Sequence, residues 1–134
     1  MTPHELAALH TRASTSPWSV QSFENQLAQA GTLLSCSQNA FAIGHAVLDE
    51  AELLQIATAP EFQNQGLGRK MLHSFEHAAK ARGCMRAFLE VAESNTPARA
   101  LYSGAGWKID GTRKGYYKHP DGTREDAILM SKSL

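Results

Sequence analysis

Residues 63–68, Gln-Asn-Gln-Gly-Leu-Gly, followed at once by Arg69 and Lys70, are the part of this sequence best suited to hold an anion. Without Cβ atoms, Gly66 and Gly68 let the backbone approach a ligand closely. The first N–H groups of a helix beginning here have no internal partner, and with the helix dipole they suit a phosphate. Gly-x-Gly alone serves equally as a plain tight turn, so the flanking residues must decide. A dinucleotide loop needs a third glycine where Met71 stands, and the G-x-x-x-x-G-K-[ST] loop of nucleoside-triphosphate sites is absent. Two further side chains could move protons. Glu90 ends an apolar strand pattern and reads either as a base or as a surface strand end. Tyr102, on an amphipathic helix, reads either as a phenol donor or as a packed aromatic.

Those residues need a frame to position them. Thr2-Pro3-His4-Glu5 reads as a helix start with a capping box, continued by Leu6, Leu9 and Ala13. Ser16-Pro17-Trp18-Ser19 interrupts it, and a second short helix through Val20, Phe23 and Leu27 runs towards Gly31. Leu33–Ser37, Ala40–Leu48 and Ala51–Thr58 then read as an antiparallel meander with turns at Gln38-Asn39 and Asp49-Glu50. Leu67, Met71, Leu72, Phe75, Ala78 and Ala79 mark a long helix after the glycine loop, with Gly83 at its C′ position. Cys84–Val91 is apolar enough for a central strand. A helix capped by Asn95 or Thr96 carries Ala98, Leu101, Tyr102 and Ala105 inward. A strand from Trp107 runs on through Tyr116-Tyr117, Asp121-Gly122 turns it, and Glu125–Lys132 returns. The pattern predicts a mixed α/β layer fold in a single domain, 1–134.

Composition excludes some classes. The chain has 134 residues, 43% hydrophobic and 19% charged, and belongs with globular rather than disordered sequences. Its formal net charge is zero, which gives no footing for nucleic-acid binding. Residues 1–67 nevertheless hold one basic residue against six acidic, and 68–134 hold twelve against seven. The basic half begins at the anion loop. Cys36 and Cys84 are too few and too far apart for a disulfide framework, and neither a signal peptide nor a membrane-length apolar run is evident. A cytoplasmic location is therefore expected, with no membrane partner. His73 and His77 stand at i, i+4 without the flanking glutamate of a zinc helix, so no metal is expected.

Gln-x-x-Gly-x-Gly resembles the pyrophosphate loop of the GNAT acetyltransferases, and the likeness extends over roughly residues 17–131. It is carried by Pro17-Trp18-Ser19, Val47-Leu48-Asp49-Glu50-Ala51, Gln63–Arg69, Leu89-Glu90-Val91 and Ser94-Asn95. Ala100-Leu101-Tyr102 with Gly106-Trp107, Tyr116-Tyr117 and Arg124-Glu125-Asp126-Ala127 continue it. These resemble the RimI-type ribosomal-protein-alanine N-acetyltransferases. The resemblance implies the GNAT fold, a mixed and mostly antiparallel central sheet flanked by helices. Three departures stand out. The family's usual first strand, ahead of the first helix, is missing, which predicts an exposed sheet edge open to homodimer pairing. Ala92 stands where the family commonly has Arg, a difference bearing on substrate choice. Trp107 replaces the usual Phe, with only a packing change expected.

The resemblance also implies a reaction. A neutral amine attacks the thioester of acetyl-CoA directly, a tetrahedral intermediate forms, and the CoA thiolate leaves. Glu90 is then the base and Tyr102 the acid for sulfur. Cys84, at the far end of its strand, is not expected to act as a nucleophile. Ile56, Ala57 and Thr58 would lie along the pantetheine arm, and Asn64, Gln65, Gly66, Leu67, Gly68 and Arg69 around the pyrophosphate. Asn95 would cap its helix or also touch CoA. Trp18, Asp49, Glu50, Tyr116 and Tyr117 would line the acceptor cleft. The expected acceptor is the N-terminal α-amino group of a protein, an alanine of a small-subunit ribosomal protein. The rival readings are a small-molecule amine or a protein lysine as acceptor, and a non-catalytic acyl-CoA-binding module.

Overall fold

A computed structural model describes residues 1–134, with four α-helices around one six-stranded sheet. Helix α1 (Pro3–Ala13) begins as its sequence requires: the Thr2 hydroxyl accepts from the Glu5 N–H, and the Glu5 carboxylate accepts from the Thr2 N–H. Helix α2 (Val20–Leu27) is capped by Ser19 and stops short of Gly31. The strands are β1 (Thr32–Cys36), β2 (Ala40–Val47), β3 (Glu50–Thr58), β4 (Arg86–Ala92), β5 (Lys108–Lys118) and β6 (Arg124–Ser133). Helix α3 (Leu67–Ala81) connects β3 to β4, and α4 (Thr96–Gly104) follows β4. The sheet order is β1-β2-β3-β4-β6-β5, and only β3 and β4 run parallel. The fold is the mixed, mostly antiparallel α/β architecture that the sequence pattern implies.

Two cores lie on opposite faces of the sheet. On one, Met71, Leu72, Phe75 and Ala79 of α3 pack against Leu53, Ala87, Leu89 and Met130. Each large side chain so buried contributes about 1.5–3 kcal/mol. On the other, Leu6, Leu9 and Phe23 of the first two helices cover Phe41, Ile43 and Ala57. Strand β4 alternates between the faces, so Ala87, Leu89 and Val91 are buried under the helices while Phe88 and Glu90 look the other way. His45 and Glu52, paired across β2 and β3, share that second face and are only partly buried. Beyond the reach of α1 and α2, the sheet presents a polar surface.

A bulge opens the sheet beside it. Ile43 pairs with Gln55 and Gly44 with Leu53, which leaves Leu54 as the extra residue. Such a bulge bends its strand. The parallel pairing of β3 with β4 ends at Glu52–Phe88, and the strands part beyond it. Gly44 sits at this bend for a steric reason. A Cβ there would lie 2.1 Å from the Glu52 carbonyl oxygen and 2.6 Å from the Phe75 ring. Gly44→Ala is therefore expected to destabilise the fold by about 3 kcal/mol through overpacking. Thermal unfolding would report it as a drop of roughly 10 °C.

Two local expectations need correction. The β2–β3 turn is Leu48-Asp49, not Asp49-Glu50, because Val47 and Glu50 already close the ladder. Leu48 takes a left-handed φ of 56° there and is 92% exposed. Trp107 does more than pack. Its indole N–H donates to Glu76 Oε2 at 3.0 Å, and the other Glu76 oxygen accepts from Lys132 Nζ at 2.7 Å. A phenylalanine would have left that largely buried carboxylate oxygen without this donor. The Asn95 side chain, rather than Thr96, caps α4 by accepting from the Ala98 N–H.

Candidate active site

Where β3 and β4 part, a cleft of about 580 Å³ forms. Its floor is Leu53–Ile56 of β3 and Leu89–Ala92 of β4, and Ala13–Ser16 between α1 and α2 make one wall. Tyr117, Lys118, His119 and Glu125 of the β5–β6 hairpin make the opposite wall, while Asn95, Ala98 and Tyr102 close the end below α4. Glu90, Tyr102, Asn95, Ile56 and Tyr117 thus meet in one space, although they come from four separate elements.

Glu90 faces the cleft from β4 with its side chain 22% exposed, and Arg113 of β5 places Nη1 3.3 Å from its Oε1. Arg113 also stacks on Tyr116, its guanidinium carbon 4.6 Å from the ring centroid. Tyr102 is 5% exposed, and its hydroxyl has no hydrogen-bond partner within the chain. Burial pushes its proton affinity well above that of an ordinary phenol, and neighbouring Tyr117 adds to this. Tyr102 therefore keeps its proton and remains a donor. Tyr117 is shifted the same way, first by burial and then by the Glu90 charge.

The glycine loop stands at the start of α3. Gly66 is the N-cap with φ 80°, Asn64 is also left-handed at φ 61°, and no side chain caps the helix. Gln63 ties the loop to β3, its amide donating to the Thr58 carbonyl at 3.1 Å. The first backbone bond into the helix comes from Lys70 N–H to the Gly66 carbonyl, so the N–H groups before it are available. Only glycine accommodates the Gly66 conformation cheaply. Gly68 is different: a Cβ there would make ordinary contacts at 3.5 and 3.6 Å with Thr58 and Leu101. Internal packing therefore does not demand a glycine at 68. Arg69 turns its guanidinium to the Gly104 carbonyl at 2.9 Å, which leaves its backbone N–H as the group offered to an anion.

Other sequence candidates lie elsewhere. Trp18 packs against Phe23 at a centroid distance of 5.1 Å, and its backbone N–H donates to His10 Nδ1 at 2.9 Å, within the α1–α2 core. Asp49 lies in the β2–β3 turn, and Glu50 sits at the sheet end opposite Arg86, which precedes Glu90 by four residues and pairs with Glu50 at 2.8 Å. Together with His45, Val47, Leu48, Glu52 and Phe88 they line a second concavity of about 290 Å³. Tyr116 is 46% exposed outside the cleft. Ala57 and Thr58 continue β3 past the splay. Sequence reasoning missed Arg113, which follows a glycine-threonine pair in a polar strand and shows its partner only through register. It also missed the Ala13–Ser16 wall, whose residues carry no chemical signature. Cys84, expected to open the fourth strand, lies buried two residues before β4 begins at Arg86, and that burial raises its thiol pKa, against a nucleophilic role.

Parted parallel strands, an uncapped glycine helix start and a cleft lined by both Glu90 and Tyr102 are the features this site presents. The acetyltransferase (GNAT) family model matches residues 4–107, and the chain belongs to that family. It is accordingly an acyltransferase of a family that uses acetyl-CoA.

Among its relatives, the [ribosomal protein bS18]-alanine N-acetyltransferase of Escherichia coli K12 is 41% identical over 131 residues, 93% of this chain and 88% of that one. The Haemophilus ducreyi enzyme of the same name is 39% identical, over 98% of this chain and 93% of its own. The crystal structure of the E. coli ribosomal-protein-S18-alanine N-acetyltransferase superposes with a TM-score of 0.87 at 36% identity, covering 98% of this chain and 87% of that one.

Proposed function

We propose that residues 1–134 form one catalytic domain that transfers an acetyl group from acetyl-CoA to the N-terminal α-amino group of a protein. The acceptor we favour is the alanine that begins a small-subunit ribosomal protein of the bS18 type. The observation that carries this reading is the meeting of Glu90 and Tyr102 in one cleft, in a chain 41% identical to enzymes named for that acceptor.

Acetyl-CoA, when bound, supplies an activated acyl thioester. The fit of this chain to it rests on the uncapped α3 start and on Gly68, where packing leaves room for close backbone approach. The N–H groups of Leu67, Gly68 and Arg69 would hold the pyrophosphate, with Asn64, Gln65 and Gly66 shaping the loop. Beyond Glu52, one edge of β3 has no strand partner, so Ile56, Ala57 and Thr58 can offer backbone groups to the pantetheine arm. Asn95 caps α4 and lines the cleft, which supports both of its roles.

Glu90 takes the proton that the attacking amine must lose. An α-amino group has a pKa of about 7.7–8.0, so at neutral pH a modestly basic carboxylate suffices, acting directly or through a water. Tyr102, held protonated by burial, gives its proton to the departing sulfur. Tyr117 lines the acceptor side with Glu90 beside it, Tyr116 stands just outside, and Asp49 and Glu50 lie further along the same face. Trp18 would act at one remove, bracing the α1–α2 wall. No helix is long and apolar enough to cross a membrane. The unpaired outer edge of β1 is the surface through which a second copy would join.

Thiol release from acetyl-CoA tests the reading. Release with unblocked Ala-initiated hexapeptides and none with N-blocked ones is the expected outcome. Release with free polyamines alone would move the enzyme to small-molecule acceptors. Coenzyme A binding without release from any amine would leave a binding module.

A further inference from the structure

Glu52 and Glu90 are carboxylates on neighbouring parallel strands and on the same open face. Glu52 lies opposite Phe88, and Glu90 is the next residue of β4 on that side. Their counter-ions differ in kind, and only Glu52 lacks a permanent one. Glu90 has Arg113, a half-exposed guanidinium reaching across from β5 at 3.3 Å. Glu52 has His45 Nε2 at 3.4 Å, a ring that carries charge only when protonated. His45 Nδ1 is buried without any hydrogen-bond partner, so Glu52 is the one polar contact that orients the ring. An incompletely compensated, partly buried pair of this kind is a poor stabilising device. Glu52 forms the last β3–β4 pair, next to Leu53 of the cleft floor, and itself lines the adjoining concavity of about 290 Å³.

We propose that Glu52 is an acceptor-binding residue, facing Glu90 across the place where the incoming amine arrives as an ammonium. The inference rests on the acetyltransfer reading above and specifies how its acceptor is held. A cation between the two carboxylates relieves their repulsion, while a neutral, already acetylated N-terminus does not. The shift of the Glu52 carboxyl agrees with this placement. Burial raises its pKa, His45 partly opposes that, and the Glu90 charge raises it further. Glu52 thus favours a free amino terminus over the product and helps release the product.

Glu52→Gln, nearly isosteric on a half-exposed face, tests this. Calorimetric titration of the coenzyme-A-loaded protein would use an Ala-initiated hexapeptide with a free amino terminus and its N-acetylated counterpart. The expected result is about tenfold weaker binding of the free-amino peptide with the acetylated one unchanged. Steady-state rates should show the peptide KM raised by a similar factor, kcat within about twofold, and the acetyl-CoA KM unaltered. Glu52→Asp should recover most of the discrimination. Equal weakening of both peptides, or no change in either, would overturn the proposal. An absence of turnover in the wild-type protein would count against the acetyltransfer reading instead, and the titrations would still decide the role of Glu52.

Discussion

Glu90→Gln is expected to lower kcat with an unblocked Ala-initiated peptide by about 10²–10⁴-fold, the range lost with a positioned general base. Coenzyme A binding should stay within about twofold, because Glu90 lies on the acceptor side of the cleft and the anion loop lies at α3. The substitution keeps the side-chain volume and can still accept from Arg113, so the 3.3 Å contact to β5 is weakened rather than left as a hole. The deficit should also depend on pH. Near pH 7 most of the α-amino group is an ammonium, and a base is needed to free its lone pair. As pH rises through about 8 the amine sheds its proton unaided. The variant should therefore recover part of its lost rate relative to wild type at about pH 9. A deficit that stays constant from pH 6 to 9 would contradict a base role. Rate and binding measured on the same preparation check both halves of the expectation.

Tyr102→Phe is expected to cost about 10²-fold in kcat with little change in either KM, since the lost donor acts only as the sulfur departs. Fold should persist, because the hydroxyl has no partner within the chain and the ring keeps its place 6.0 Å from Trp107. The sign of the pH effect follows from the raised proton affinity. The folded phenol holds its proton well beyond the ordinary value of 10.0, so wild-type turnover should not fall below about pH 10 through Tyr102 ionisation. Stability behaves differently. Above that ordinary value the unfolded chain releases the phenol proton and the folded chain does not, so the fold should weaken as pH rises further. Chemical denaturation of wild type and Tyr102→Phe between about pH 9 and 11 measures this, with the smaller decline expected in the variant.

Local chemistry made much of the site legible. Residues 63–70 could be singled out in sequence because the backbone groups and glycines of an anion loop are contiguous, and the family resemblance chose that reading over a plain turn. Glu90 could be singled out as a carboxylate at the end of an apolar strand, whereas Tyr102, on an amphipathic helix, reads equally as a packed aromatic until the family resemblance points to it. The hairpin at Asp121-Gly122 and the Thr2 capping box are equally local, and both stand where expected. What could not be read depends on register. The Arg113–Glu90 contact joins residues 23 positions apart through β6, which lies between their strands. The bulge at Leu54 and the collision that fixes Gly44 arise only when β2, β3 and α3 are packed together. The β2–β3 turn was misplaced by one residue because Leu48 is an unfavourable choice for a left-handed turn position, and Asp49-Glu50 is a more ordinary one. Trp107 looked like a packing change because its acceptor, Glu76, reads in sequence as a surface residue of α3 and is buried only by the strand opposite.

The measurement that tests the central claim most directly is tandem mass spectrometry of a bS18-type ribosomal protein after incubation with the enzyme and isotopically labelled acetyl-CoA. The account predicts label on the α-amino group of the N-terminal alanine, absent when that terminus is blocked and strongly reduced with Glu90→Gln. Label confined to lysine side chains, or label on the terminus at the same rate with Glu90→Gln, would contradict it.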